Sequence, residues 1–211
     1  MAEVKALFLD IGGVLLSNGW DTALRRKTAA HFGVDYEELD HRHRVCYDIY
    51  EEGKMPLEEY LRHIIFFEPR PYKVEDVRDF ILAQGRAFED MLELVRELRE
   101  RHRLQVAVVS NEGREIAEDR IRRFGLREFV DFFIVSAFVH LRKPDEDIYR
   151  LALDVAQVSP EQVIYIEDRP LLCEVAAGLG IRAIRHANFA ATCAALEAAG
   201  LNRLTCSENE N

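Results

Sequence analysis

An apolar run that stops at an acidic residue near the N-terminus restricts the fold more than any other feature. Residues 4–16 read V-K-A-L-F-L-D-I-G-G-V-L-L, and Asp10 stands where the run ends. A short segment with so few polar members is typical of a strand buried on both faces of a parallel sheet. Ligands bind at the carboxyl ends of such strands, and Gly12 with Gly13 lets the backbone approach them closely. The run therefore predicts a strand with a reactive or metal-binding carboxylate at its end.

The rest of the chain divides into a helical part and an alternating part. Residues 18–84 contain no strand-like run, and Leu57, Tyr60, Leu61 and Ile64 recur at the helical period. Later residues alternate between strand and helix patterns, which indicates a parallel sheet with helices on both faces. We expect an α/β core of residues 1–16 and 86–204, an inserted helical domain of residues 17–85 and a flexible tail of residues 205–211.

The alternating part also predicts particular elements. Apolar runs predict strands over residues 104–109, 130–135, 163–166 and 181–184. Pro144 suits the first turn of a helix, and an Ala-rich helix is expected from Asn188 to Ala199.

Composition limits the class of protein and of partner. The formal net charge of the 211-residue chain is −10, which argues against binding to a nucleic-acid backbone. The four cysteines are far apart and form no C-x-x-C pair, so neither a zinc site nor a disulfide framework is indicated. There is no apolar run of ~18 residues and no signal-peptide pattern. We therefore expect a soluble cytoplasmic protein without a nucleic-acid or membrane partner, while the sequence carries no signature of oligomeric state.

Polar residues follow three of the predicted strands or stand in a loop nearby. Because the carboxyl ends of parallel strands share one edge, Ser110-Asn111, Lys143 and Glu167-Asp168 can meet Asp10 there. A lysine beside a helix N-terminus opposes the helix dipole by ~0.3–1 kcal/mol, so Lys143 is expected to have an anionic partner. Neighbouring carboxylates repel one another unless a cation lies between them, and hard oxygen ligands suit Mg²⁺.

Each of these residues also has an ordinary structural explanation. Asp10 alone could cap a helix or form a turn, Ser110-Asn111 is common turn chemistry, and Glu167-Asp168 could be a solvated turn. The prediction of an active site rests on their convergence at one edge.

Four segments in order resemble the motifs of the haloacid dehalogenase-like (HAD) hydrolase superfamily. The resemblance covers nearly the whole chain, and four motifs in their expected strands and loops are far more specific than any one of them. The helical insertion directly after the first motif resembles the C1-type cap of that superfamily. The four segments are Asp10-Ile11-Gly12-Gly13-Val14, Ser110-Asn111, Lys143-Pro144-Asp145 and Glu167-Asp168.

The resemblance implies a Mg²⁺-dependent phosphatase that forms an aspartyl-phosphate on Asp10. The substrate would be a small phosphorylated metabolite, with sugar phosphates among the candidates. Trp20 lies where the chain leaves the first motif, so it is a candidate for substrate binding, although a core or hinge role would also explain it. The implied metal ligands are Asp10, the Gly12 carbonyl, Glu167 and Asp168, and the implied phosphoryl-binding groups are Ser110, the Asn111 backbone N–H and Lys143.

Gly12 departs from the family pattern. Most phosphatases of the superfamily have a second Asp at this position as general acid and base, a role worth roughly 10²- to 10⁴-fold in rate. Three consequences remain open: a preference for leaving groups that need little protonation, weak activity, or a substitute from the cap. The candidate substitutes are His41, His43 and Glu51. Leu172 is a second departure, because many relatives have Asn there.

Two other functions stay open. A metal-independent haloacid dehalogenase would also lack the second Asp, but it would gain nothing from Glu167-Asp168 as a magnesium pair. A non-catalytic phosphate-binding protein would bind its ligand more easily without the anionic Asp10. Two further features have no assigned role: His140 is expected at the rim of the cleft, and the charged run from His41 to Arg44 either lines the pocket or is a solvated helix face.

Overall fold

A computed structural model describes residues 2–203. Its centre is a sheet of five parallel strands in the order β3-β2-β1-β4-β5. The predicted α/β class is therefore confirmed. The strands are β1 Ala6–Leu9, β2 Gln105–Ser110, β3 Phe132–Val135, β4 Val163–Glu167 and β5 Arg182–Arg185.

Helices cover both faces of the sheet and form a separate group after β1. Between β1 and β2 lie α1 Thr22–Phe32, α2 Tyr36–Glu51, α3 Leu57–Ile64, α4 Val74–Ala83 and α5 Glu89–His102. The remaining helices are α6 Arg114–Arg123, α7 Ser136–Val139, α8 Glu146–Ala156, α9 Pro170–Gly178 and α10 Phe189–Ala198.

Successive residues of the central strands face opposite layers. Leu7 and Leu9 belong to one buried apolar cluster, which includes residues of α5, α6 and α10. Phe8 belongs to another, which includes residues of α8 and α9. This alternation follows from the two-residue period of a strand. It explains why the run of residue 6 to residue 9 is entirely apolar and entirely buried, and it gives the expected three-layer arrangement.

The strand register sets the position of the polar residues. Leu9 pairs with Val108 on one side and with Ile166 on the other. Asp10 therefore follows β1 beside the ends of β2 and β4, which carry Ser110 and Glu167 as their last residues. Three chain segments that are distant in sequence thus end at one edge.

Helices α1–α4 form the cap, which has its own apolar core. Residues of all four helices belong to one buried cluster that includes Leu24, Leu39, Tyr60 and Val77. The carboxylate of Asp21 accepts from the backbone N–H of Leu24 at 2.8 Å and so caps α1. A helical cap inserted into the α/β core is confirmed, while its exact division from the core at residues 17 and 85 stays a prediction.

The cap packs closely on the core at two glycines. A Cβ atom on Gly53 would lie 2.2 Å from the carbonyl oxygen of Ala137, and one on Gly113 would lie 2.0 Å from the ring of Tyr50. The Ser136 hydroxyl donates to the Glu51 carbonyl at 2.7 Å. The cap is therefore held directly against the edge of the sheet where Asp10 lies.

Several predicted boundaries shift. The helix expected at Pro144 begins at Glu146, because Asp145 caps it by accepting from the N–H of Asp147 at 3.0 Å. The third strand starts at Phe132 rather than residue 130, since the N–H of Val130 bonds the Leu126 carbonyl in the preceding turn. Strand β5 is shifted by one residue, and the short helix α7 was not predicted. Residue 204 and the expected tail, residues 205–211, lie outside the described residues.

None of the helices formed by residues 2–203 is both long and apolar enough to cross a membrane.

Candidate active site

Asp10 lies at the bottom of a cavity between the core and the cap. Its side chain is almost completely buried and accepts a hydrogen bond from the Lys143 ammonium at 3.0 Å. The Ser110 side chain also bonds to it. Burial raises the pKa of Asp10, because a charged carboxylate loses hydration, while Lys143 acts in the opposite direction. The carboxylate is thus kept beside a fixed positive charge and away from bulk water.

Lys143 is the centre of this network. Its Nζ atom, with three N–H donors, lies within hydrogen-bond distance of four acceptors: Asp10, the Val109 carbonyl at 3.1 Å, the Tyr165 hydroxyl at 2.8 Å and Glu167 at 2.7 Å. Burial alone would lower the pKa of the ammonium, but the charges of Asp10 and Glu167 outweigh it and raise the pKa. The lysine therefore stays charged, and the anionic partner expected from its position near a helix N-terminus is present.

Glu167 is fully buried and is fixed through both carboxylate oxygens. Its Oε2 accepts from Lys143 and, at 2.6 Å, from the Tyr165 hydroxyl, while Oε1 accepts from the Arg169 backbone N–H at 3.0 Å. Burial favours the neutral acid, but these partners prevail and lower the pKa of Glu167 to about 2. Glu167 is consequently ionised at neutral pH.

Asp168 has the opposite electrostatic environment. Burial, a hydrogen bond with Glu167 and the charges of Asp10 and Glu167 raise its pKa to about 7. Its Oδ1 atom is buried and has no hydrogen-bond partner. A buried polar atom without a partner is costly, so this oxygen is suited to a ligand that the protein does not itself provide.

The donor set fits a divalent cation. One carboxylate oxygen from each of Asp10, Glu167 and Asp168 lies within 4.8 Å of the others. Lys143 pairs with Asp10 and Glu167, and this one ammonium does not offset three ionised carboxylates. Carboxylate oxygens are the ligands that hard divalent cations such as Mg²⁺ prefer. The free Oδ1 of Asp168 and this excess of negative charge make the cluster suitable for a divalent cation.

A side chain at either of the two glycines that follow Asp10 would meet a different neighbour. Gly13 has a φ of +77°, and a Cβ there would lie 2.3 Å from Oδ2 of Asp168. At Gly12, a Cβ would lie 2.9 Å from Oδ1 of Asn18. An acidic side chain at residue 12 would therefore require the exposed Asn18 amide to move aside. An amide does not exchange a proton near neutral pH, so Asn18 does not replace a general acid.

Asn111 takes part in the site through its side chain. The amide nitrogen donates to the Lys143 carbonyl at 2.9 Å, and the amide oxygen accepts from the Lys143 N–H at 2.8 Å. One side chain therefore bonds both the carbonyl and the backbone N–H of Lys143. The phosphoryl contact expected from the Asn111 backbone N–H stays a prediction.

The cavity above Asp10 has a volume of about 300 Å³. Trp20 lines it, as do three side chains of α2: His43, Tyr47 and Glu51. Gly12, Asn111 and Lys143 line it from the core, together with Arg142. The volume suits a small ligand rather than a polymer.

The three cap candidates for the missing acid have different positions. His41 is exposed on the outer face of α2 and does not line this cavity. Glu51 accepts from Nε of Arg142 at 2.9 Å and bonds the Tyr47 hydroxyl, so it is already engaged. His43 lies in the cavity wall, but burial and the nearby Arg25 lower its pKa to about 4. A histidine that is neutral at pH 7 is a poor proton donor.

Of His140 and Leu172, only Leu172 lines the cavity. His140 is exposed, and its Nδ1 lies 2.7 Å from the Glu52 carbonyl, so it contacts the cap rather than the cavity. Leu172 lines the cavity, where it presents an apolar side chain in place of an amide.

Two site residues were missed by the sequence reasoning. Tyr165 was part of an apolar strand pattern, and nothing in that pattern showed that its hydroxyl would contact Lys143. The sequence motifs assign no role to Arg142, although it pairs with Glu51 and, at 2.8 Å, with Asp48 of the cap. The sequence feature that could have pointed to Arg142 is its position as a basic residue next to Lys143.

The comparison with family models decides the family. The model described as haloacid dehalogenase-like hydrolase matches residues 4–180. The chain belongs to the haloacid dehalogenase-like hydrolases. Membership in this family of hydrolases confirms the resemblance found in the motifs.

Among its relatives, a phosphorylated carbohydrates phosphatase of Thermotoga maritima is 30% identical over 188 residues, covering 86% of this chain and 84% of the relative. A HAD family enzyme of Bacteroides thetaiotaomicron, solved in complex with magnesium and inorganic phosphate, superposes with a TM-score of 0.73 at 18% identity, over 86% of this chain and 93% of that one.

Dehalogenases share the same architecture. L-2-haloacid dehalogenase from Xanthobacter autotrophicus superposes with a TM-score of 0.62 at 18% identity, over 86% of this chain and 77% of that one. At such identities the likeness of a HAD structure shows the fold alone, so these two superpositions do not separate phosphatase from dehalogenase.

Proposed function

We propose that this HAD hydrolase is a Mg²⁺-dependent phosphatase that acts on a small phosphorylated metabolite through an aspartyl-phosphate on Asp10. The observation that carries the proposal is the cluster of Asp10, Glu167 and Asp168 around a buried lysine, with one oxygen of Asp168 unpartnered. A nucleophile that attacks a halogen-bearing carbon has no use for two further carboxylates. The phosphatase relative of Thermotoga maritima supports the same assignment.

Mg²⁺ would be held by Asp10, the Gly12 carbonyl, Glu167 and Asp168. When bound, it supplies positive charge that offsets the repulsion between a carboxylate nucleophile and a phosphoryl group. The other positive charge comes from Lys143, whose pKa is raised and which lies beside Asp10. Lys143 and Ser110 would hold phosphoryl oxygens while Asp10 attacks.

The reaction has two steps. A carboxylate oxygen of Asp10 forms a bond to phosphorus, and the bond from phosphorus to the leaving-group oxygen breaks. Water then attacks the phosphorus, the bond to Asp10 breaks, and inorganic phosphate is released. Because Gly12 provides no acid, the leaving-group oxygen takes its proton from water. We therefore expect faster turnover of leaving groups with a low pKa, such as acyl, aryl and anomeric phosphates.

The test is a panel of phosphorylated metabolites with Mg²⁺, extended by acetyl phosphate and 4-nitrophenyl phosphate. We expect phosphate release that stops when EDTA removes the metal and that is lost in the isosteric Asp10→Asn variant. Turnover that persists in Asp10→Asn would overturn the nucleophile assignment. Halide release from 2-chloropropionate without metal would instead establish a dehalogenase.

Trapping of a phosphoryl analogue on Asp10 distinguishes a phosphatase from a non-catalytic binding protein. Beryllium fluoride with Mg²⁺ mimics a phosphoryl group on a carboxylate, so an active Asp10 should form a stable adduct that ¹⁹F NMR detects. Phosphate binding without an adduct on Asp10 and without turnover of any substrate would indicate a binding protein.

A further inference from the structure

Helix α2 presents three side chains to the cavity, and within residues 2–203 they differ in how many of their polar atoms have a protein partner. His43, Tyr47 and Glu51 are four residues apart and therefore share one face of the helix. Tyr47 and Glu51 bond one another, and Glu51 also accepts from Arg142. His43 is bonded through one ring nitrogen only.

The hydrogen bonds behind His43 determine its tautomer. Trp20 Nε1, which can only donate, donates to the Tyr60 hydroxyl oxygen at 2.7 Å. The same oxygen lies 2.7 Å from Nδ1 of His43. Within residues 2–203, no other group is available to accept the Tyr60 proton, so Tyr60 donates it to Nδ1. The neutral ring of His43 must then carry its own proton on Nε2.

The Nε2–H group is the part of His43 that remains for a ligand. His43 is 7% exposed and lines the cavity. No protein group of residues 2–203 hydrogen-bonds to Nε2, and this atom is not among the fully buried polar atoms without a partner. An oxygen atom of a bound molecule is the natural acceptor for it.

The surroundings keep this histidine uncharged. On α1, Arg25 faces it, and on α2 the charged neighbours are Asp40 and Arg44. The Tyr47 ring lies beside it in a tilted arrangement, with centroids 4.4 Å apart, and Tyr60 approaches from α3. A second ring proton would have to displace the hydrogen bond from Tyr60, so protonation is opposed by geometry as well as by the two arginines.

We propose that His43 is a specificity-determining residue, which donates its Nε2–H to an oxygen of the substrate's leaving group. Trp20 and Tyr60 act as positioning residues that fix the tautomer. The inference rests on the phosphatase function proposed above, since it concerns the part of the substrate that the cap contacts. Among leaving groups of similar pKa, those with hydroxyl or ring oxygens that reach the cap are favoured over smaller ones.

Kinetics test the role of the donor. His43→Leu removes the N–H group, whereas His43→Gln keeps an N–H donor at a similar reach. We expect the ratio of kcat/KM for glucose 1-phosphate to kcat/KM for acetyl phosphate to fall roughly tenfold in His43→Leu, mainly through KM. His43→Gln should recover most of the ratio. The matched control is His41→Leu, on the exposed side of the same helix, which should leave the ratio as in the wild type.

NMR tests the tautomer without relying on turnover. The ¹⁵N shifts of the His43 ring in the wild-type protein should show a protonated Nε2 and an unprotonated Nδ1 at pH 7. In Tyr60→Phe, which removes the donor to Nδ1, the two nitrogens should shift toward a mixture of tautomers. A proton on Nδ1 in the wild-type protein would overturn the inference.

The outcomes separate the inference from the function on which it rests. If no phosphate ester or acyl phosphate is turned over by the wild-type enzyme, the phosphatase proposal fails, whatever the NMR shows. If the wild type is active and His43→Leu leaves the substrate ratio unchanged, the assigned role of His43 fails alone. Should either His43 variant fail to fold, the ratio in Tyr60→Phe decides, with a fall expected and no change contradicting it.

Discussion

The ammonium nitrogen of Lys143 lies 3.0 Å from Oδ1 of Asp10, although the two residues are 133 positions apart in the chain. Neither group is accessible to bulk solvent to any large extent. Their attraction is therefore poorly screened, and it holds the proposed nucleophile in one orientation. A buried ammonium is destabilising when it loses a hydrogen-bond partner. The neighbours of Lys143 are therefore good targets for mutagenesis.

Tyr165→Phe tests the first of these neighbours. The substitution removes the hydroxyl that accepts from Lys143 at 2.8 Å and donates to Glu167 at 2.6 Å. Lys143 should become less well fixed, so we expect kcat to fall about tenfold with little change in KM, a loss typical of about 1.4 kcal/mol. Tyr72→Phe, which removes a cap hydroxyl that donates to the Phe32 carbonyl, is the control. Equal kcat values in the two variants would contradict the prediction.

Asn111→Ala removes both hydrogen bonds to the backbone of Lys143. We expect the free energy of unfolding to decrease by about 1–3 kcal/mol and kcat to fall, because the loop that carries the lysine is released. The control is Asn188→Ala, which removes the N-cap of α10 and should also cost about 1 kcal/mol. Urea denaturation and steady-state kinetics provide the measurements. A fall in kcat in both variants would mean that lost stability, and not the position of Lys143, is responsible.

Metal binding should be visible as a change in thermal stability. Mg²⁺ at about 100 times its Kd would stabilise the folded chain by ~2.7 kcal/mol, and EDTA should reverse the effect. Asp168→Asn removes a carboxylate from the cluster of three. This variant should have a higher Tm than the wild type without metal, because one source of repulsion is gone, and it should not respond to Mg²⁺. Asp79→Asn, at an exposed carboxylate of α4, should respond as the wild type does. A normal Mg²⁺ response in Asp168→Asn would exclude Asp168 as a ligand.

An acidic residue at position 12 should restore acid catalysis, most fully when space is made for it. A Cβ at Gly12 would lie 2.9 Å from the amide oxygen of Asn18, an exposed side chain that would have to move aside. We expect Gly12→Asp to increase turnover of alkyl phosphates relative to 4-nitrophenyl phosphate, since only the poorer leaving group needs an acid. The gain should be larger in the double variant Gly12→Asp with Asn18→Ala. Equal gains in the two variants would show that Asn18 does not hinder a side chain at position 12.

The buried His43 predicts a loss of stability in acid. Its pKa is about 4 in the folded chain, against 6.5 in the ordinary case, so the unfolded state binds more protons between these values. The free energy of unfolding should therefore fall as the pH decreases from 6.5 to 4, by up to ~3 kcal/mol. His43→Gln should show a smaller fall, and His41→Gln should follow the wild type. Parallel pH profiles in wild type and His43→Gln would contradict the low pKa.

The outcome at the sheet edge shows what local patterns can predict. The run before Asp10 and the run before Glu167 are each long enough for only one buried strand, and parallel strands bring their carboxyl ends together. The clustering of Asp10, Ser110, Glu167 and Asp168 thus followed from strand positions, while Lys143 reaches them from the loop before α8. Tyr165 was not foreseen because an aromatic residue in a buried strand has a packing role in most proteins. Only its register against Lys143 makes the hydroxyl part of the site.

The cap candidates show where sequence reasoning stops. His41 and His43 are two residues apart on α2, and the helical period places them on different faces, but the sequence does not say which face meets the core. The structure turns His43 toward the cavity and His41 toward solvent. The same holds for Gly12: the sequence shows that it lacks a side chain, and it places Asn18 near the first motif, but it does not show how closely the Asn18 amide approaches Gly12.

The sequence by itself determined the parallel sheet, the helical insertion and the acidic, hydroxyl and ammonium groups at one sheet edge, because strand order and polarity are written in short local patterns. Only the tertiary structure decided how the cap lies on that edge, which proton His43 carries and what fills the space beside Gly12. These features depend on contacts between side chains that are far apart in sequence, and their geometry is set by the packing of the cap helices against the core.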